Sequence, residues 1–411
     1  MSESMQIHKV SLEKVWGVPG LPEVFFQVNT SSQGRSARLS SEGEIALASQ
    51  PWLPLNAPVK LLNHREAKPW GSEIWYTGIE KRGVCDVQFS SGHRLSLPAY
   101  LTLLTHAKTR ASETIPAPSL LKILDPLPDP SRGSLYIEVH REKWETYIVS
   151  GVDKNAWPTG EGEVLFGFSS EKITQFNGDS DSFLVALQAD VEKYEKVRRR
   201  LDGETLEPQR PDDIEREKQL WQTVRSYFGI LKVTVGSVIE VPPFTPHSLQ
   251  HGVRVVEFQT PTYERWILAF NQQVQTQKHW DTFQALAAAR FQVGTRQLQS
   301  NSQSEEHLLP TPQKDPKHAA NLGWKRIVDF PQFKVFRTSL NSGDSIAVEL
   351  QPDASFTIVF VVSGLIQINS RHGEQLLALS AEEAALVPAD AVIQGLELLA
   401  DPASPALVLA V

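Results

Sequence analysis

Tyr136-Ile-Glu138-Val-His140-Arg-Glu-Lys143-Trp-Glu145-Thr-Tyr147 is the stretch on which the reading of this chain turns. Glu138 and His140 stand two apart, so on a β-strand both side chains point to one face. With Arg141 to Trp144 as a tight connection, Glu145 opens a returning strand opposite His140, and directly opposed residues share a face. Three groups able to bind a metal then converge. The stretch Gly236-Ser-Val-Ile-Glu-Val-Pro242-Pro-Phe-Thr-Pro-His247-Ser-Leu-Gln-His251 places His247 straight after a Pro-rich turn that fixes the backbone, and His247 can complete a set of four. Two neutral imidazoles and two carboxylates balance one divalent cation, and such nitrogen and oxygen donors suit zinc first, with manganese, iron or nickel as further candidates.

The rest of the composition narrows the chemistry. A single cysteine, Cys85, rules out an internal disulfide and a Cys-based zinc site, and it reads as a buried inert thiol. A net charge of −8 argues against nucleic acid as a partner, since phosphate binding needs clustered Lys and Arg. The basic run Lys193 to Arg200 alternates with Glu and apolar residues, as on a solvated helix face. No apolar run approaches the ~18 residues that span a bilayer, and Met1 to Val10 lacks the apolar core of a secretory signal. A soluble cytoplasmic protein is expected.

With 411 residues the chain has room for two to three domains of ~150 residues. Short β-rich pieces separated by Pro, Gly and Ser fill residues 52–168, among them Glu73 to Thr77, Tyr100 to Thr105 and Leu135 to Val139. Leu184, Leu187, Val191, Tyr194 and Leu201 then recur at helical spacing. Ile214, Trp221, Val224 and Phe228 do so again after Gly203 and Pro208. Strands return at Gly229 to Val235 and Arg254 to Phe258, a helix carrying Phe283, Leu286 and Phe291 follows, and Asn301 to Lys317 reads as a linker. The expected fold is therefore an all-β core with a helical insert. Its parts are an N-terminal extension over 1–60 packed on the first barrel, a first barrel over 61–180 and 229–275, and the insert over 181–228. A helix and linker over 276–320 and a second barrel over 321–411 complete it.

A weak internal repeat supports two similar barrels. Glu145-Thr-Tyr-Ile-Val-Ser-Gly151 can be laid on Ile358-Val-Phe-Val-Val-Ser-Gly364, and Val241-Pro242 with His247 on Val387-Pro388 with Ile393. The second copy has Ile where the first has Glu and His, which assigns the metal and the chemistry to the first.

The two stretches resemble the paired motifs of the cupins, Glu138-x-His140-(x)4-Glu145 with Gly151, and Gly236-(x)5-Pro242-(x)4-His247. Within the cupins the chain is similar to type I mannose-6-phosphate isomerases. That family's Gln-x-His, Lys-x-Glu and later His are matched by Glu138-x-His140, Lys143-x-Glu145 and His247. Its early Lys-Pro-Trp-Gly is matched by Lys68 to Gly71, and its downstream catalytic arginine by Arg265. The resemblance covers residues 60–411. It implies two jelly-roll barrels, the second without metal, and one divalent ion on Glu138, His140, Glu145 and His247. It further implies Lys143 and Arg265 as catalytic groups, and Trp70 and His251 in or near the substrate pocket.

Three departures stand out: the family's ligand glutamine is Glu138, only two residues separate His140 from Lys143 where the family has a longer insertion, and the usual Ser-Asp pair is Thr260-Pro261. The individual residues also have plainer readings, with Lys143 a solvent-facing turn lysine, Arg265 the partner of a carboxylate, Trp70 a core residue and His251 a structural one. The implied activity is aldose–ketose isomerisation, of mannose 6-phosphate and fructose 6-phosphate or a related sugar, by a monomer or homodimer without membrane or nucleic-acid partners. A cupin oxygenase, or a metal- and sugar-binding cupin without turnover, are the alternatives.

Overall fold

A computed structural model describes residues 6–31, 34–106, 117–203, 205, 208–271, 279–289, 323–351 and 354–411. The expected linker over 301–317 and the helical position Phe291 lie outside them. The chain forms two compact units, one of residues 65–74 and 122–305, the other of residues 1–64, 75–121 and 306–411. Strands dominate both. Among the described residues no helix is long and apolar enough to cross a membrane.

The unit that holds Glu138 is built on two antiparallel sheets. In the six-stranded sheet the order is Val238–Val241, Glu145–Val152, Val253–Gln259, Leu120–Pro126, Gly71–Trp75 and His64–Lys68. In the five-stranded sheet it is Phe228–Val233, Gly162–Phe168, His247–Leu249, Ile137–Val139 and Trp266–Ala269. Val139, Tyr147, Val149, Val164, Leu249 and Val255 are among the buried residues of one shared core. Alternation along each strand sends apolar side chains into this core from both sheets.

The helical insert is found at Ser180–Leu201 and Asp213–Arg225. Asp179 caps the first helix by accepting from the backbone N–H groups of Asp181 and Ser182. Its Phe183, Leu187, Val191, Tyr194 and Val197 form the buried stripe. Arg200 donates to Asp213 through Nε at 2.9 Å and Nη2 at 2.6 Å, a buried two-pronged pair that joins the two helices. A short helix at Ser170–Gln175 precedes them, and Thr282–Ala288 follows the strand Trp266–Ala269.

In the other unit, eight strands run in the order Arg94–Ser96, Asp86–Gln88, Val59–Leu62, Ala384–Pro388, Phe356–Ser363, Ala406–Ala410, Lys334–Leu340 and Lys325–Asp329. Four more, Ser345–Ala347, Leu396–Ala400, Leu365–Ser370 and Gln375–Ser380, make a second sheet. Three strands around the repeat correspond in the two units. Glu145–Val152 lies between Val238–Val241 and Val253–Gln259, as Phe356–Ser363 lies between Ala384–Pro388 and Ala406–Ala410. The register is one residue out: Glu145 faces Val241, whereas Ile358 faces Leu386 rather than Val387.

Three expectations change. Tyr100 to Thr105 is not a strand but part of the helix Leu97–His106, with Pro98 in its first turn, where a missing N–H costs nothing. Its run from Leu97 to Leu104 is buried all round, so it carries no helical period in the sequence. The boundary placed at residue 61 also moves, because Val59–Leu62 pairs with Ala384–Pro388 and Asp86–Gln88 and so completes the sheet of the second repeat. The extension over 1–60, expected on the first barrel, falls in that same unit, where Arg35 donates to Asp390 through Nε at 2.6 Å.

Candidate metal centre

Glu138 lies at the middle of Ile137–Val139, directly opposite His247 on the neighbouring strand. His140 follows that strand, and Glu145 opens the next one. The reading of a hairpin between them is corrected here. Ile137–Val139 belongs to the five-stranded sheet and Glu145–Val152 to the six-stranded sheet, so residues 141–144 cross from one sheet to the other. His140 and Glu145 meet because the two sheets face each other, not because they pair.

The four side chains are buried and offer donor atoms that lie within 4.8 Å of one another, the one group of three or more such residues found among the described ones. His140 Nε2 is 3.5 Å from Glu138 Oε1 and 3.4 Å from Glu145 Oε2, and His247 Nε2 is 3.7 Å and 3.0 Å from the same two oxygens. Four donors held tetrahedrally at ~2.1 Å from one ion lie about 3.4 Å apart, so the spacing suits a first-row divalent metal. The hydrogen bonding points the same way. His140 Nδ1 is 2.7 Å from the carbonyl of Glu264 and His247 Nδ1 is 2.9 Å from that of Thr245. A carbonyl only accepts, so each Nδ1 donates its N–H there and each ring turns Nε2 inward. His140 Nε2, His247 Nε2 and Glu145 Oε2 are buried without a hydrogen-bond partner. Donor groups of this kind converging in a dry interior with two carboxylates suit a cation between them.

The surrounding charges support both carboxylates as anions. Burial pushes Glu138 and Glu145 upward, but His140 and Lys143 outweigh it and hold both below the usual carboxylate range. Lys143 is buried rather than a solvent-facing turn residue, and its ammonium pairs with Glu145 Oε1 while Oε2 faces the histidines. Arg265 is half-buried and sits over the Tyr136 ring, 4.5 Å from its centroid, with Glu138 among the charges it feels. Trp70 is buried in the same core as Tyr136. His251 is not with the four donors: it stacks on Trp157 at 4.7 Å, and its Nδ1 is 3.5 Å from Ser134 Oγ.

A row of ionisable groups, of which the sequence reading singled out Lys68 alone, runs across the six-stranded sheet beside Glu145. Tyr147 pairs across strands with Glu257, whose Oε2 is 3.1 Å from Lys122 Nζ, and Lys68 lies 3.9 Å from Glu73. Burial, with the charge of Glu145 adding to it against the pull of Lys122, pushes Glu257 up to about 8. Burial and the same carboxylates keep the Tyr147 phenol protonated. Each of these residues stands alone on its own strand. Only the order of strands in the sheet assembles them, although Glu257, an acid set between Val255-Val256 and Phe258, was a legible signal.

Two features now define the class: a mostly β chain of two units, with one cluster of metal-type donors buried between two sheets. No protein-family model matches the sequence, and no curated protein matches it. Solved structures do match in fold. One is the mannose 6-phosphate isomerase from Bacillus subtilis, 14% identical with a TM-score of 0.54, covering 86% of this chain and 99% of that one. Another is the mannose 6-phosphate isomerase from Salmonella typhimurium bound to substrate (f6p) and zinc, 13% identical with a TM-score of 0.56 and the same coverage of 86% and 99%. A zinc-bound holo form of mannose 6-phosphate isomerase matches at 13% identity and a TM-score of 0.56. At such identities the likeness is one of fold, and the chain has the fold of the phosphomannose isomerases.

Proposed function

We propose that this protein is a metal-dependent aldose–ketose isomerase acting on mannose 6-phosphate and fructose 6-phosphate or a closely related sugar. The observation that carries the proposal is the buried cluster of donors on Glu138, His140, Glu145 and His247, with His140 Nε2, Glu145 Oε2 and His247 Nε2 unpartnered, set in a fold shared with enzymes of that activity. In this reading both units are cupin barrels, and one ion, zinc in the first place, is held in the unit of Glu138. When bound, it supplies a Lewis acid that polarises substrate oxygens.

The chain's own groups have the following tasks. Lys143, paired with Glu145, adds positive charge beside the site, against the negative charge that develops on the sugar oxygens. Arg265 stands against the negative charge that develops on the sugar oxygens as the proton moves between C1 and C2. Glu257, a buried carboxyl whose affinity for a proton is raised into the neutral range, exchanges that proton. Tyr147, kept as a phenol, donates a hydrogen bond in the same row. Trp70 closes the apolar side. The test is incubation with hexoses and hexose phosphates in deuterated water, without oxygen. Deuterium entering C1 or C2 of one of them supports the isomerase. Its absence from all of them, with the metal in place, overturns the activity.

A further inference from the structure

Between His140 and Glu145 the chain has only four residues with which to cross from one sheet to the other. The segment 260–264 lies along this crossing and is bonded to both of its ends. At the far end Trp144 N–H donates to Thr260 Oγ1 at 3.2 Å, and Thr260 N–H donates back to the Trp144 carbonyl at 3.0 Å. At the near end one carboxylate oxygen, Glu264 Oε2, accepts from two successive backbone N–H groups, Arg141 at 3.1 Å and Glu142 at 2.8 Å. The same residue's carbonyl takes the His140 Nδ1 proton at 2.7 Å. The His140 carbonyl is held from elsewhere, by Phe244 N–H at 2.6 Å, on a residue with φ of +69° that L side chains seldom adopt.

From this geometry we infer that Glu264 is a positioning residue for the metal centre: its carboxylate fastens the crossing turn, so that its own carbonyl is fixed against His140. The inference rests on the metal-centre reading and deepens it. Without the carboxylate, two turn amides lose their acceptor and the carbonyl is free to drift from the imidazole. The ring then loses the contact that sets its tautomer and direction. The fault falls on the distance between His140 and Glu145, whose donor atoms are 3.4 Å apart across the crossing.

The experiment compares the full chain with Glu264→Ala and Glu264→Gln. Gln retains an oxygen that accepts from both amides. Zinc affinity is read by competition with a chromophoric chelator, and site geometry by the visible spectrum of the cobalt(II)-loaded protein. Glu264→Ala is expected to weaken zinc by about 10–100-fold, the usual cost of losing an outer contact to a ligand, and to change the cobalt spectrum. Glu264→Gln is expected to restore both, with affinity within about threefold of wild type, a rescue that general loss of stability would not show. Should Glu264→Ala fail to fold, Glu264→Asp, too short to reach both amides, takes its place with the same expectation. Wild-type affinity and spectrum in Glu264→Ala, or equal losses in Ala and Gln, overturn the positioning role alone. A wild-type protein that binds neither zinc nor cobalt overturns the metal centre itself.

Discussion

Replacing Glu138 by Gln removes one charge from the proposed metal shell while keeping an oxygen where Oε1 stands. Glu138 is 9% exposed, and its Oε1 lies 3.5 Å from His140 Nε2 and 3.7 Å from His247 Nε2. In the wild-type protein Glu138 and Glu145 carry two negative charges, which a divalent ion cancels, with Lys143 adding one positive charge on the far oxygen of Glu145. In the variant the ion meets one carboxylate only. Removing one partner of a buried ion pair costs about 3–5 kcal/mol. Part of this is recovered, because Glu138 and Glu145 no longer repel each other when the metal is absent. A net loss of about 2–4 kcal/mol remains, which at 1.4 kcal/mol per decade is roughly thirtyfold to several hundredfold in Kd. Chelator competition at pH 7.5 measures it directly, and circular dichroism of the metal-free variant establishes that the fold is kept. Zinc affinity within about threefold of wild type would refute the charge-balance reasoning and place Glu138 outside the shell.

Three further outcomes follow from the same geometry. His247→Ala is expected to remove the bound metal, and elemental analysis of the wild-type protein is expected to show one equivalent, since one donor cluster is found among the described residues; two independent equivalents would contradict this. Lys143→Met and Arg265→Met are each expected to keep the metal and lower turnover by about a hundredfold or more, as losing one preorganised charge contact to a transition state costs ~2.7–4 kcal/mol. Unchanged turnover in Lys143→Met would leave that residue only its pairing with Glu145. For Glu257 the sign is set by a folded-state value of about 8 against an ordinary 4.5. The folded protein keeps a proton that the unfolded chain releases, so this group's contribution is full below 4.5 and is lost as pH rises through about 8. Denaturant melts of the metal-free protein across that range are expected to show a decline that Glu257→Gln abolishes; parallel curves would show that Glu257 titrates normally.

Local spacing determined much of this protein in advance. The two-residue step from Glu138 to His140, the helical period from Leu184 to Leu201, and the likeness of Glu145 to Gly151 with Ile358 to Gly364 are properties of neighbouring residues, and each has its counterpart in the structure. Strand order and partner choice belong to the tertiary structure alone. It decided that His140 and Glu145 converge from facing sheets, that Val59–Leu62 completes the sheet of the second repeat, and that Leu97–His106 is a helix buried on every side. It also set Lys122 against Glu257 and Glu264 against the crossing turn, over separations of more than a hundred residues. Side-chain periodicity encodes which face of a strand is buried but not which strand lies beside it, so contacts between distant strands become visible only once the sheets have formed.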